Sequence, residues 1–218
     1  AKQWHLSRGV YLHGFWCYEW ADETLRAESY NPETGELRLA AKHAYGIGHP
    51  RRKDSERHFY AIHVFEELDQ PGEYYLDRQA NKLYFWPPDD AAQTPVRLSL
   101  CRNPLLKAVG ASHLTLRNLV LENGCNYGVV LSGCSHSRVE SCLVRNTGLG
   151  GISSSGGANN HVVGCEVTRT GSRAVSMSAG DRKSLTNGNC SNTFLGFQQR
   201  PWTGTATRVN DLRGGDGG

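Results

Sequence analysis

The stretch VESCLVRNTGLGGISSSGG, residues 139–157, decides the fold of this chain of 218 residues. It is poor in large apolar residues, yet its pattern recurs at a fixed step of 23 positions on both sides. Two of the mostly apolar columns of this repeat are Leu116, Val139 and Val162, and Leu119, Cys142 and Cys165. A register kept over three copies without an insertion is the signature of a solenoid.

Within each copy the apolar positions alternate with polar ones, which is the period of a β-strand. In a parallel β-helix no coil buries its own inner face, so the coils above and below cover it and like residues stack about 4.8 Å apart. Small residues allow the corners, and a column of serines hydrogen-bonds along the axis. The sequence therefore predicts a β-helix of 23-residue rungs over residues 101–197.

Two charged columns have a structural interpretation. Glu122 stands one repeat before Arg145, and Arg117 stands one repeat before Glu140. Opposite charges on neighbouring strands predict ion pairs between rungs rather than catalytic groups.

Two further polar columns are also interpreted as structural. Asn123 and Asn146 predict an amide ladder at a bend. His113 and His136 would form a ligand pair, but Asn159 completes their column and no third ligand follows, so no metal site is predicted.

Composition excludes several classes of protein. The seven cysteines form no C-x-x-C pair, so buried, reduced thiols are expected rather than a zinc or thioredoxin-like site. A net charge of +3 does not favour a nucleic-acid partner, and no apolar run is long enough for a membrane span. The first residues lack an initiator Met and a signal-peptide pattern, so we expect a processed or excised chain.

Residues 1–100 lack the 23-residue step and carry most of the aromatic residues, which predicts a separate β module inserted in or packed on the solenoid. ETLRAESYNPETGELRLAA (residues 23–41) and GEYYLDRQANKLYFWPP (72–88) each predict a hairpin. FYAIHVFEELDQPG (59–72) has helical spacing at Ile62, Phe65 and Leu68, which predicts one short helix. HPRRKDSERH (49–58) predicts a solvated loop. The predicted fold class is all-β.

Three segments resemble a group of bacterial right-handed parallel β-helix repeat proteins that borders on glycoside hydrolases and on the pectate-lyase-like superfamily. They are VYLHGFWCYEWAD (10–22), HFYAIHVFEELDQPGEYYLDRQANKLYFWPP (58–88) and SAGDRKSLTNGN (178–189). The resemblance covers residues 4 to about 190. It implies a polysaccharide or oligosaccharide partner and a secreted, cell-surface or periplasmic location. Members are longer, so this chain is expected to be a fragment.

Glycoside hydrolysis is the leading expectation, and it needs a pair of carboxyl groups. Glu140 and Glu166 would lie about 11 Å apart, outside the separations of retaining and inverting enzymes. Asp181 starts an insertion in the register and is the candidate catalytic acid or base, with Arg182 and Lys183 as substrate-binding groups. The structural alternative for these three residues is an ion-paired loop hinge. No second acid is evident in the sequence, so the fragment itself is expected to lack activity if its partner acid lies on further rungs.

Two other functions stay open. A polysaccharide lyase would use one of the two cations to stabilise its intermediate, and only then is calcium expected as a cofactor. A non-catalytic glycan-binding or structural β-helix would show no turnover. Trp16, Trp20 and Trp86 are candidates to stack on sugar rings, and the alternative is that they fill the core of the module. The oligomeric state is not predicted.

The last segment, QQRPWTGTATRVNDLRGGDGG (198–218), has no rung register and predicts an irregular tail, whereas NTFLGF (192–197) resembles a further rung. A frameshift or an artificial end is the hypothesis for this tail. An open solenoid end with unpaired strand edges is the expected consequence.

Overall fold

The computed structural model describes residues 4–18, 21–48, 59–88, 93 and 95–178, together with the backbone of strands at 192–197 and 207–214. The chain divides into two compact units, Ala1–Val96 and Arg97–Gly218. We call them the N-terminal module and the solenoid unit.

A four-stranded antiparallel sheet forms the centre of the N-terminal module. Its strands are β1 (Tyr11–Phe15), β2 (Asp22–Tyr30), β3 (Leu37–Leu39) and β4 (Phe59–Ile62), in the order β3-β2-β1-β4. β2 and β3 are the strands of the first predicted hairpin, which is confirmed. The Asn31 side chain stabilises the turn between them by accepting hydrogen bonds from the backbone N–H groups of Glu33 and Thr34.

The second predicted hairpin is also confirmed. β5 (Tyr74–Asp77) pairs antiparallel with β6 (Lys82–Phe85), and the two strands form a sheet of their own. Asp77 Oδ1 accepts hydrogen bonds from the N–H groups of Gln79 and Ala80, which closes the turn.

The helix predicted within residues 59–72 needs correction. Its first part is strand β4, which pairs with β1, and only Phe65–Glu67 is helical, as one 3-10 turn. The three-residue spacing of apolar side chains also fits a strand followed by a single turn. Pairing with β1, a contact distant in sequence, therefore overrides the local pattern.

Residues 95–178 form three complete rungs and the first strand of a fourth. The strands in chain order are β7 (Leu106–Val109), β8 (Thr115–Arg117), β9 (Val120–Gly124), β10 (Val129–Ser132), β11 (Arg138–Glu140), β12 (Leu143–Thr147), β13 (Ile152–Ser155), β14 (Asn160–Thr170) and β15 (Arg173–Ser178). The parallel pairing places Val129 between Leu106 and Ile152, each 23 positions away. The predicted β-helix and its register are confirmed.

The interior of the rungs is a stack of apolar side chains with a few bonded polar groups. Val139 and Val162 are fully buried, as their column predicts. One of the buried polar residues is Asn160, whose Oδ1 accepts a hydrogen bond from the N–H of Ser137 at 3.1 Å and whose Nδ2 donates to the carbonyl of Cys134 at 2.6 Å. Because these bonds satisfy the amide, its burial is tolerated.

Residues with left-handed backbone turn the chain at the corners of each rung. Four columns share a positive φ: Gly110, Gly133 and Gly156; His113, His136 and Asn159; Asn118, Ser141 and Gly164; and Asn123, Asn146 and Arg169. Glycine, asparagine and histidine are the residues most often found in this region. The amide ladder is confirmed at one such corner, where Asn146 Nδ2 lies 3.2 Å from Asn123 Oδ1.

Two antiparallel strands pair with the last rung. β16 (Asn192–Phe197) pairs with β15, and β17 (Thr207–Gly214) pairs with β14. Residues 192–197 are therefore a strand but not a parallel rung, and the segment predicted as an irregular tail contains a strand. The expectation of unpaired edges at this end is wrong for β14 and β15, because antiparallel pairing needs no 23-residue register.

Candidate functional site

One side of the β5–β6 hairpin is an exposed apolar surface. Tyr74 lies opposite Phe85, and Leu76 lies opposite Leu83. Alternate residues of a strand point to opposite sides, so these four side chains share one side, which we call the hairpin face. Their exposed fractions are 64% for Tyr74, 37% for Phe85, 38% for Leu76 and 44% for Leu83.

The other side of the hairpin packs inside the N-terminal module. Tyr75 is buried, and its ring centroid lies 5.2 Å from that of Phe65. Tyr84 approaches the same Phe65 ring at 5.0 Å. Burial raises the pKa of Tyr75, and the charge of Asp77 adds to this rise. The packing of one side fixes the hairpin, so the exposed aromatic rings of the other side are held in a defined orientation.

The three candidate tryptophans have different outcomes. Trp86 directly follows β6 and is 46% exposed. Trp16 is 6% exposed, donates from Nε1 to the carbonyl of Glu23 at 3.0 Å and stacks on Phe59 at 5.6 Å. Trp16 lies in the core of the module, which was the alternative prediction for these tryptophans, so its ring is not available to stack on a sugar. Trp20 lies outside the described residues.

A polar cluster on the four-stranded sheet was not predicted. Strand pairing places His13 opposite both Thr24 and Tyr60. His13 Nδ1 lies 2.8 Å from Thr24 Oγ1, and its Nε2 lies 3.6 Å from Asp22 Oδ2. Burial, followed by the charge of Asp22, raises the pKa of Tyr60. The residues come from separate strands, so only knowledge of the pairing would have found the cluster.

The first predicted ion pair on the solenoid is confirmed. Arg145 Nε lies 2.6 Å from Glu122 Oε2, and Arg97 Nη1 lies 2.6 Å from Oε1 of the same carboxylate. The hydrogen bond from Arg145 is the main reason why the pKa of Glu122 is lowered. Both oxygens of this carboxylate are held by guanidinium groups.

The second predicted ion pair is confirmed in the same way. Arg117 donates from Nε to Glu140 Oε1, and Arg138 Nε lies 3.1 Å from Oε2. These bonds, with that from Arg117 the stronger, lower the pKa of Glu140. An ionised carboxylate with both oxygens held is poorly suited to donate a proton as a general acid.

Residues 106–204 match a family model described as a right handed beta helix region. The chain contains a right-handed parallel β-helix region. The matched segment begins at the first residue of β7, the first strand of the first rung. The comparisons with curated proteins and with solved structures gave no match.

Two sets of charged residues were considered for the site from the sequence, the rejected pair Glu140 and Glu166 and the candidates at 181–183. Glu140 lies opposite Val163, whereas Glu166 lies opposite Leu143, so the two acids are offset by three residues along the strand as expected. Glu140 is also held by arginines, and this pair therefore supplies no acid for glycoside hydrolysis. The candidates Asp181, Arg182 and Lys183 lie outside the described residues.

The histidine column of the β-helix region is a corner. His113 and His136 stack with centroids 5.0 Å apart and an interplanar angle of 6°, and both have positive φ. Within residues 4–178, apart from the undescribed gaps, no group of three or more His, Cys, Asp or Glu side chains would hold a metal ion.

The six described cysteines are all free thiols. They are Cys17, Cys101, Cys125, Cys134, Cys142 and Cys165. Cys142 and Cys165 donate to backbone carbonyls inside the stack, at 3.3 Å and 3.4 Å, which agrees with the structural thiols expected for this column.

None of the helices in the described part of the chain is long and apolar enough to span a membrane.

Proposed function

We propose that this chain binds carbohydrate through the hairpin face and belongs to a secreted, carbohydrate-active β-helix protein. The observation that carries the proposal is the exposure of Tyr74 and Phe85 on a hairpin whose other side is packed. Contiguous exposed apolar surface on a soluble unit is a mark of an interaction site.

The chemistry of the hairpin face suits a sugar chain. Pyranose rings present C–H groups on one face and hydroxyl groups at their edges, so they are bound by a flat ring with polar groups beside it. Tyr74 and Phe85 supply adjacent rings across the two strands. Leu76 and Leu83 are the next pair along the same face and extend the apolar surface beside these rings.

The reaction, if the whole protein is an enzyme, is proposed to be glycoside hydrolysis at Asp181. Supporting this assignment, Glu122 and Glu140 are both held by arginine side chains, whereas Asp181 stands where the 23-residue register of the sequence breaks. Loss of reducing-end release in Asp181→Asn, with the fold retained, would support hydrolysis. A product with ultraviolet absorbance would indicate a lyase instead.

Titration of the full chain with soluble oligosaccharides of glucose, xylose, mannose and galacturonate tests the binding proposal. Isothermal calorimetry avoids dependence on the tryptophan signal. We expect Tyr74→Ala and Phe85→Ala each to weaken binding by about tenfold, because each removes an exposed aromatic ring of the hairpin face. Tyr45→Ala is the matched control, since Tyr45 is an exposed aromatic residue of the same module outside the hairpin.

Two outcomes would overturn the proposal. One is that no oligosaccharide of the panel binds the folded chain. The other is that binding occurs with equal affinity in wild type, Tyr74→Ala and Phe85→Ala.

A further inference from the structure

His63 connects three segments of the N-terminal module. It follows β4 directly, and its φ of +61° is a left-handed backbone angle that residues other than glycine rarely adopt. Its Nδ1 lies 2.9 Å from the carbonyl oxygen of Gly9, just before β1. Its Nε2 lies 2.8 Å from the carbonyl oxygen of Leu76 in β5. One imidazole ring therefore reaches both the four-stranded sheet and the aromatic hairpin.

The two carbonyl oxygens distinguish between the ionisation forms of this ring. A carbonyl oxygen only accepts hydrogen bonds, and a neutral imidazole has one N–H and one lone pair. The neutral ring donates to Gly9 or to Leu76 and places a lone pair against the other oxygen. Only the imidazolium form donates to both. The Tyr75 ring, with its centroid 4.5 Å from that of the imidazole, adds an aromatic neighbour that favours a cation.

The other titratable groups near this ring keep their protonation state near neutral pH. The Tyr75 and Tyr11 rings pack against it, and the pKa of Tyr75 is raised by burial and then by Asp77, so its phenol stays protonated. The charges of Arg8 and Glu66 also affect the pKa of Tyr75, and these two side chains pair with each other at 3.4 Å. Carboxylates and guanidinium groups do not titrate between about pH 5.5 and about pH 8, whereas imidazoles do.

The hairpin depends on few contacts with the rest of the module. It forms a separate two-stranded sheet, and among the described residues no backbone hydrogen bond joins it to the four-stranded sheet. Its described attachments include the Tyr75 and Tyr84 rings on Phe65, the Tyr75 ring on His63, and the bond from His63 to Leu76. The loss of one of these attachments will therefore be felt by the whole hairpin.

We propose that His63, as an imidazolium, clamps the aromatic hairpin to the four-stranded sheet, so that the hairpin loosens and its glycan binding weakens when the ring loses a proton. The binding part of this inference rests on the proposed function. The clamp itself does not, because it is a property of the unliganded module.

Hydrogen exchange on the full chain tests the clamp. Protection of peptides covering β5 and β6 is measured by mass spectrometry at about pH 5.5 and about pH 8, on either side of the range in which free histidine titrates, and is corrected for intrinsic exchange. We expect wild type to lose about tenfold in protection at the higher pH, the effect of one hydrogen bond to a charged group. His63→Asn, which tolerates the left-handed backbone, should show the low protection at both pH values.

His5→Gln is the matched control. His5 belongs to the same module, contacts Glu66 at 3.7 Å and is 65% exposed, and its removal should leave the pH dependence intact. Equal protection of wild type at both pH values, or a pH dependence that survives in His63→Asn, would refute the clamp. If His63→Asn does not fold, long-range nitrogen–proton spectra of wild type decide the matter: both ring nitrogens of His63 must carry protons at about pH 5.5.

Oligosaccharide titrations on the same samples separate the clamp from the proposed function. Absence of binding at both pH values refutes the proposed function, while the exchange data still judge the clamp. Binding that is equal at both pH values, alongside exchange that changes, refutes the coupling between the clamp and the hairpin face.

Discussion

Gly151 is a position where the stacking of rungs leaves no room for a side chain, and its replacement by alanine tests the solenoid register. A Cβ at this position would lie within 3.0 Å of both Cγ1 of Val167 and the carbonyl oxygen of Ala174, closer than real Cβ contacts. Val167 is 1% exposed and has no space into which to turn, and the carbonyl belongs to the backbone of the next rung. The added methyl group therefore forces neighbouring rungs apart. Overpacking of this kind costs about 3 kcal/mol where backbone has to move.

Urea unfolding of the full chain, followed by far-ultraviolet circular dichroism, measures this cost. Gly124→Ala is the matched control, because its Cβ would meet only the Leu105 side chain, at 2.9 Å, and a half-buried leucine can shift. We expect Gly151→Ala to lower the free energy of unfolding by about 3 kcal/mol and Gly124→Ala by about 1 kcal/mol or less, with similar m-values. A difference between the two variants smaller than about 1 kcal/mol would refute the close approach of the rungs at this corner.

Two further predictions concern buried and paired polar groups of the solenoid. Thr147 is buried, and its hydroxyl has no hydrogen-bond partner in the described structure, so Thr147→Val should raise the free energy of unfolding by about 1 kcal/mol. Thr170→Val should lower it by a similar amount, because the Thr170 hydroxyl donates to a carbonyl at 2.8 Å; equal urea midpoints for the two variants would contradict this. The pKa of Glu140 is lowered in the folded state, so its ionised form stabilises the fold fully at pH values above the ordinary pKa of 4.5. This stabilisation is lost as the pH falls through the lower pKa of the folded state. Glu140→Gln should therefore reduce the thermal midpoint at neutral pH and approach wild type in acid, and parallel pH profiles of the two proteins would show that Arg117 and Arg138 do not hold the carboxylate.

The solenoid could be predicted from sequence because its contacts follow one rule. Every rung contact joins residues about 23 positions apart, so Val139 facing Val162 and Arg145 facing Glu122 are visible as columns. The same rule identified both ion pairs and the Asn123–Asn146 ladder. What the columns could not show was that His113 and His136 occupy a left-handed corner, since a histidine column also suits a ligand pair.

The N-terminal module was predicted less well because its contacts follow no repeat. The hairpins were predicted from their turns. The pairing of β4 with β1 joins residues about fifty positions apart, so it was missed and a helix was predicted in place of β4. The clamp was missed for the same reason: His63 reaches Gly9 and Leu76, neither of which is near it in sequence. The residues on either side of His63, FYAI and VFEE, give no indication of which carbonyl oxygens its ring contacts.

The contrast between the two units also bears on where function lies. On the described rungs the outward acids Glu122 and Glu140 are each bound by two arginines, so a repeat that stabilises the solenoid also occupies the groups that hydrolysis would need. The hairpin face is the opposite case. Tyr74 and Phe85 lie side by side and exposed, so their rings add little to the packing of the module. Exposed aromatic surface has a cost in water that a binding partner removes. The hairpin of the N-terminal module is therefore the place to look for recognition, and the described rungs have a structural role.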